Sequence, residues 1–377
     1  MRSYFAYRNA NEVAVSSLVT MKYSFKIASV WDIPIELHIT FILLMGAVFV
    51  LSYPGLYLFV LILFLFAFVV LHELAHSLVA RHYQIRVRKI VLYPIGGVSE
   101  IEEIPQNPSI EWRLAIAGPA TSFLIGTILL LLDQLVSIAE PVTSIASPLS
   151  TAGTLMLDLA VLNLLLGAFN LIPAFPMDGG RVFRALLAER MKFSDATKYA
   201  AYIGRLLGIA MVIFGFVFSN YFLLILVGVF VYVGASEEAE QTIVSTTLAR
   251  VRVRDVMRAE VASVQPQNTL SEALEVMFKA RYHDALVEKE GVFQGVVIWD
   301  ELVKVQTEQR SELRVEQMPL KQVSVFEDES VLEAQKIMAR EKIDLMPVVD
   351  KDTPTKVVGV LTNEGVASAY EKAKNLR

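Results

Sequence analysis

Residues 71 to 76 read LHELAH, and the fifteen residues before them read LYLFVLILFLFAFVV, so two histidines and a glutamate close a run that is otherwise oil. Ionisable groups at membrane depth are costly and are kept where they face a protein interior and act there. On a helix His72 and His76 stand at i and i+4, one above the other on one face, where two ring nitrogens can clamp a single metal ion. Glu73 lies about 100° round the helix from His72. It can reach a water on that metal without ligating the metal itself. Zinc with three protein ligands keeps a fourth position for water and brings its pKa to about 7, which would make hydroxide available at neutral pH.

The chain has no cysteine. Thiolate ligands are therefore excluded, and the third ligand must come from His, Asp or Glu. In FNLIPAFPMDGGR, residues 169 to 181, Asp178 is the sole acid. Gly179 and Gly180 permit close backbone approach, and Pro173 and Pro176 break the helix where the carboxylate must turn inward. A competing role for Asp178 is N-cap of the helix that follows, GGRVFRALLAER.

The elements that must position these residues follow from composition and charge. Of 377 residues 54% are hydrophobic, above the roughly 45 to 50% of ordinary soluble domains, so part of the chain lies in a membrane. Apolar runs at roughly 37–53, 57–79, 114–135, 155–173, 202–219 and 221–235 are long enough, or nearly so, to cross about 30 Å of hydrocarbon. Arg81, Arg86, Arg88 and Lys89 follow the second run, and Arg181, Arg184, Arg190, Lys192 and Lys198 follow the fourth. The connections at 53–56, 136–154 and 219–221 carry no Lys or Arg. Positive charge marks the cytoplasmic face, which puts HELAH, Asp178, the N-terminus and everything after residue 236 on that side. Within residues 1–27, a tail, Met21 reads more naturally as a start than Met1. The net charge of −5 gives no basic face and no reason to expect nucleic acid.

From Arg250 the chain becomes charged and strand–helix alternating, with an internal repeat. Met257 aligns with Met318, Val264 with Val325 and Met277 with Met338, each 61 residues apart.

The pairing of H-E-x-x-H with N-x-x-P-x-x-x-x-D-G, here Asn170, Pro173, Asp178 and Gly179, resembles the site-2 protease family of intramembrane zinc metalloproteases, in its prokaryotic, archaeal type. The resemblance covers roughly residues 28 to 235. It implies one Zn2+ held by His72, His76 and Asp178, with Glu73 as catalytic base and Asn170 near the scissile carbonyl. It also implies hydrolysis within or near the transmembrane segments of membrane-anchored proteins. IPIELHITF, residues 33 to 41, and AGPATSF, residues 117 to 123, resemble the family's first and third spans, with Ser122 where the family often has Asn. His38 is read as an interfacial histidine rather than a ligand, and His82 as a headgroup-level residue. The stretch from residue 87 to about 106, with Gly96 and Gly97 at its middle, looks like the family's membrane-associated β-hairpin. A free edge there would capture unwound substrate by strand addition.

The repeat resembles a tandem pair of CBS domains, through VRVRDVM at 251–257, the run from Val264 to Leu274 and GVVIWDEL at 295–302. Where that family holds an adenosyl nucleotide with Thr or Ser and an Asp three residues on, the first copy has Ile298 and Glu301 and the second Thr362 and Gly365. Each copy keeps half, so Glu301 and Thr362 are the candidate contacts of an adenine nucleotide, and a structural or dimerising role stays open.

The expected fold is a polytopic α-helical membrane protein of about six transmembrane helices with a β-hairpin, plus a cytosolic α/β tandem CBS module. The expected divisions are a tail at 1–27, a protease domain at 28–235, a linker at 236–249 and repeats at 250–310 and 311–377. The expected partners are the bilayer, membrane-anchored substrates and a second copy of the chain through the CBS pair. An alternative function is a CBS-regulated transporter or channel with a cation site built from His72, Glu73 and Asp178.

Overall fold

The structure, a computed structural model, describes residues 23–102, 106–139, 148–218, 221–259 and 263–375. Residues 1–22 of the expected tail and residues 140–147 lie outside them, whereas residues 24–27, counted with the tail, belong to the first strand of the sheet. The chain divides after Glu240 into two compact units.

The first unit opens on a sheet. Strand β1 (Ser24–Val30) pairs antiparallel with β2 (Ile33–His38). Helices α1 (Ile39–Ser52) and α2 (Tyr57–His82) follow. Then β3 (Val87–Tyr93) returns parallel to β2, and β4 (Gly96–Ile101) folds back on β3, for the order β1-β2-β3-β4. Side chains alternate across the sheet. Ile33 and Ile90 on one face pack on Leu74 of α2. On the other, Lys89 Nζ lies 2.7 Å from Glu36 and 3.7 Å from Glu100. Burial works against ionising Glu36, but Lys89 and the Ser24 hydroxyl outweigh it and hold the carboxyl below its ordinary range. His38 lies outside the group formed by His72, His76 and Asp178: buried at the β2–α1 junction, it caps α1 by accepting from the Thr40 backbone N–H at 3.3 Å.

Among the described residues, four helices are long and apolar enough to cross a membrane: α2, α3 (Pro108–Ala139), α6 (Phe193–Val217) and α7 (Phe222–Leu248). Helix α1 and the Thr154–Asn170 part of α4 (Pro148–Asn170) are apolar but shorter. The distribution of size is that of a protein dissolved in lipid. Large apolar side chains such as Val50, Leu131, Phe216 and Leu223 point outward, whereas the buried face of α6 is Ser194, Ala196, Thr197, Ala200, Ala201, Gly204, Gly208 and Gly215. Small residues let helices approach closely where lipid offers no hydrophobic drive between them.

The last turns of α7 run through most of residues 236–249, so the expected linker is largely helix. Two three-stranded sheets follow, β5 (Ser263–Val264), β6 (Asp284–Lys289), β7 (Val292–Ile298) and β8 (Val325–Phe326), β9 (Leu345–Val349), β10 (Val357–Thr362). Helices α8 (Leu270–Ala280), α9 (Trp299–Val303), α10 (Val331–Glu341) and α11 (Asn363–Asn375) flank them. A capping box of Thr269 and Glu272 starts α8, and Ser330 starts α10 in the same register.

The repeats are interlocked. Arg252 bridges to Ser330 and Arg314 to Thr269. Val253 is buried in the core around Val325 and Met338, and Val315 in the core around Val264 and Met277. Each lead segment thus completes the other repeat. A third cluster, Leu286, Val296, Leu345 and Val360, joins the sheets. Asp284 accepts from the Asp344 and Leu345 backbone N–H groups across this seam, and burial pushes its carboxyl up to about 6 despite those bonds.

Candidate metal centre

The last turns of α2 carry His72 and His76 with their rings 4.9 Å apart, and both side chains are buried, at 4% and 5% exposure. The Nε2 atom of each lies 3.2 Å from Asp178 Oδ2. One ligand atom from each of the three residues falls within 4.8 Å of the others. The far nitrogens are held by α3. His76 Nδ1 lies 2.7 Å from the Leu114 carbonyl and His72 Nδ1 2.8 Å from Ser122 Oγ. A carbonyl only accepts, so His76 carries its proton on Nδ1 and leaves the Nε2 lone pair facing Asp178. Two imidazole nitrogens and a carboxylate oxygen, with no thiolate, form a donor set that suits zinc.

Leu114, Gly118 and Ser122 sit at i, i+4 and i+8 on α3, the same rise per step as His72 and His76 on α2. Gly118 stands between the other two, against the Nε2 atoms of both histidines. A Cβ there would lie 2.2 Å from His76 Nε2 and 2.3 Å from His72 Nε2. The space that a side chain would occupy is the space where the ligand atoms converge.

Asp178 is the first residue of α5 (Asp178–Ala188) and Met177 is its N-cap, so capping does not occupy the carboxylate. The loop before it is packed solid: Phe175 is fully buried against Ala200, Ala201, Ala235 and Ala239, and Ala174 and Met177 against Val231. Arg184, two turns into α5, anchors the helix. Its Nε donates to Glu111 Oε1 of α3 at 2.7 Å and its Nη1 to Glu238 Oε1 of α7 at 2.9 Å. The guanidinium lies 4.8 Å over the Phe175 ring and 4.7 Å over Phe193. A buried arginine flanked by two carboxylates and two rings locates α5 far more tightly than an exposed ion pair would. The charge pattern alone reads Arg184 as a marker of the cytoplasmic face; its partners are 73 and 54 residues away, and no local signal ties them to it.

Glu73 points to the sheet. Its Oε2 accepts from Ser99 Oγ of β4 at 2.7 Å. A Cβ on Gly97 would come within 2.6 Å of Glu73 Cγ, so glycine there lets β4 lie against the glutamate's stem. Gly96 and Gly97 open β4 and the turn itself is Pro94 and Ile95, since Tyr93 pairs with Gly96. Gly96 has φ +150°, and no atom lies within 4 Å of where its Cβ would be. Asn170, the last residue of α4, donates from Nδ2 to the Leu166 carbonyl of its own helix at 3.0 Å. His82 stays out of the cluster, its ring 5.1 Å from Tyr83.

In the second unit Glu301 pairs with Lys304 at 2.6 Å. Thr362 is buried and its Oγ1 accepts from the Gly365 N–H at 3.2 Å, closing the first turn of α11.

Apolar spans, a His–Glu–x–x–His helix and a carboxylate brought to both imidazoles by a separate helix define a membrane-bound metallopeptidase. The family described as Peptidase family M50 matches residues 60–157 and 132–212, and that described as CBS domain matches 253–308 and 315–372. A zinc metalloprotease of Methanocaldococcus jannaschii is 40% identical over 74% of this chain and 78% of its own length. The Rip3 protein of Mycobacterium tuberculosis is 30% identical over 66% of this chain and 63% of its own length. A solved site-2 protease from Methanocaldococcus jannaschii shares 44% identity across 58% of this chain and 95% of its own, with a TM-score of 0.44. The chain belongs to the site-2 protease family: it is a zinc metalloprotease with tandem CBS domains. That membership decides against the transporter reading.

Proposed function

We propose that His72, His76 and Asp178 hold the zinc ion, that Glu73 is the catalytic base, and that the enzyme cuts membrane-anchored proteins within or near their transmembrane segments. The observation that carries this reading is the convergence of both Nε2 atoms on Asp178 Oδ2 at the end of an apolar helix. Zinc, when bound, supplies Lewis acidity and hydroxide at neutral pH. The Leu114 carbonyl and Ser122 hold the imidazoles in place, and Glu73 takes the proton of the attacking water on a carboxylate oxygen and returns it to the leaving amide nitrogen. Asn170 ends the helix eight residues before Asp178. It would polarise the scissile carbonyl once its amide leaves Leu166.

A helical substrate shields its carbonyls in i to i−4 bonds and must be extended before attack. Strand β4 has no neighbour on its outer side among the described residues and lies against Glu73. It is the edge to which an unwound segment would add, at the membrane surface. The charge distribution supports about six spans with the N-terminus and CBS pair in the cytoplasm.

Asp178→Ala should lose zinc together with activity, because two imidazoles alone hold the ion poorly. Zinc is measured per purified chain in detergent, and full occupancy in that variant would move the third ligand elsewhere.

The CBS pair is read as a gate driven by an adenine nucleotide near Glu301 or Thr362, with a structural or dimerising role as the alternative. A ligand shifts a gate only by its differential affinity for the two states. Truncation must spare Glu238, so the chain is ended after Ala249, beyond α7. The truncated enzyme should cleave at a changed rate and lose the response to ATP or AMP. If the full chain gives no heat of binding with either nucleotide and both forms cleave alike, the pair is a scaffold.

A further inference from the structure

The side chain that faces Glu73 belongs to the sheet. On β4, Gly97 and Ser99 stand two residues apart and therefore on the same face of the strand. The first leaves room for the Glu73 stem, since its Cβ would lie 2.6 Å from Cγ, and the second reaches the carboxylate, with Oγ 2.7 Å from Oε2. Ser99 Oγ also lies 3.1 Å from the Glu73 carbonyl. That carbonyl is already served by Ser77 Oγ at 2.9 Å. A hydroxyl has one proton to give, and here it goes to the shorter contact, the carboxylate.

We propose that Ser99 is a positioning residue for catalysis: its hydroxyl pins one carboxylate oxygen of Glu73 and aims the other at the attacking water. The inference rests on the reading of Glu73 as the base. It goes further in placing base and substrate on one rigid element, because the strand whose outer edge receives the unwound segment also fixes the rotamer of the group that activates water. A base that swings on a free side chain spends less time in attacking geometry, and rigid support of this kind is what catalytic groups require.

The test compares Ser99→Ala, Ser99→Thr and Ser99→Val in the full-length enzyme, with zinc per chain, kcat and KM measured on one single-span substrate. Thr and Val have the same shape and both favour strand, so only the hydroxyl separates them. Ser99→Ala and Ser99→Val should lower kcat by about 10- to 100-fold, the usual effect of removing a partner behind an active group. KM and zinc content should stay at parental values, because the strand edge and the ligands are intact. Ser99→Thr should retain most of kcat. Equal activity of Thr and Val, or a rise in KM with kcat unchanged, would overturn the proposal and leave Ser99 a strand residue. Glu73→Gln in the same assay separates the two levels. Parental activity there removes the base assignment and this inference with it; an inactive Glu73→Gln beside a fully active Ser99→Val removes the positioning role alone.

Discussion

Glu73→Gln is expected to lower kcat by about 10²- to 10⁴-fold, the range that general-base catalysis contributes, while the purified protein keeps its zinc. The substitution preserves length and polarity and removes only the capacity to accept a proton. Glu73 is outside the proposed ligand set: both Nε2 atoms face Asp178, and their Nδ1 partners are on α3. Ser99 can still donate, to the amide oxygen, so the side chain stays in place. Zinc analysis and cleavage of a generic single-span substrate read the two consequences separately. Cleavage at the parental rate would transfer the base to another group; zinc loss with activity would make Glu73 a ligand.

Gly118→Ala is expected to be nearly as damaging by a different route, with a fall in zinc affinity of at least about 100-fold, the upper end of what changes behind a metal site usually cost. The added methyl would lie 2.2 Å from His76 Nε2 and 2.3 Å from His72 Nε2, a separation that atoms do not tolerate. Either α3 withdraws, taking Leu114 and Ser122 from the imidazoles, or the rings rotate away from Asp178. Helix propensity does not oppose the change, since alanine is about 1 kcal/mol better than glycine in a helix. A folded chain with zinc missing and a thermal midpoint lowered by the lost metal and the displaced packing is therefore the expected signature. A variant that binds zinc normally would show that α3 can retreat without disturbing the site.

Much of the candidate site was legible from composition and spacing because its parts are local. His72, Glu73 and His76 occupy a single turn or so of helix, and ionisable groups stand out in a run of Leu, Phe and Val. Asp178 was legible for the opposite reason, as the sole acid where a span is broken by two prolines. The repeat was equally plain, since two copies 61 residues apart each carry their own strand and helix signals.

Only the tertiary structure decided what lies behind those groups. The histidine partners are the Leu114 carbonyl and the Ser122 hydroxyl on α3, and nothing local in the sequence assigns either to an imidazole. The anchor of Asp178 is an arginine whose two carboxylates sit 73 and 54 residues away. His38, an interfacial histidine by its place at the start of a span, is a buried helix cap. The exchange of lead segments between the CBS repeats also escaped the sequence, because a single apolar residue such as Val253 or Val315 at the head of a short turn reads the same whichever core it enters. Hydrophobic and charged groups announce themselves through solvation, which depends on each residue alone. Close approach, hydrogen-bond partnership and strand exchange depend on pairs of residues distant in the chain, and the energy that selects them exists only once the helices and strands have packed.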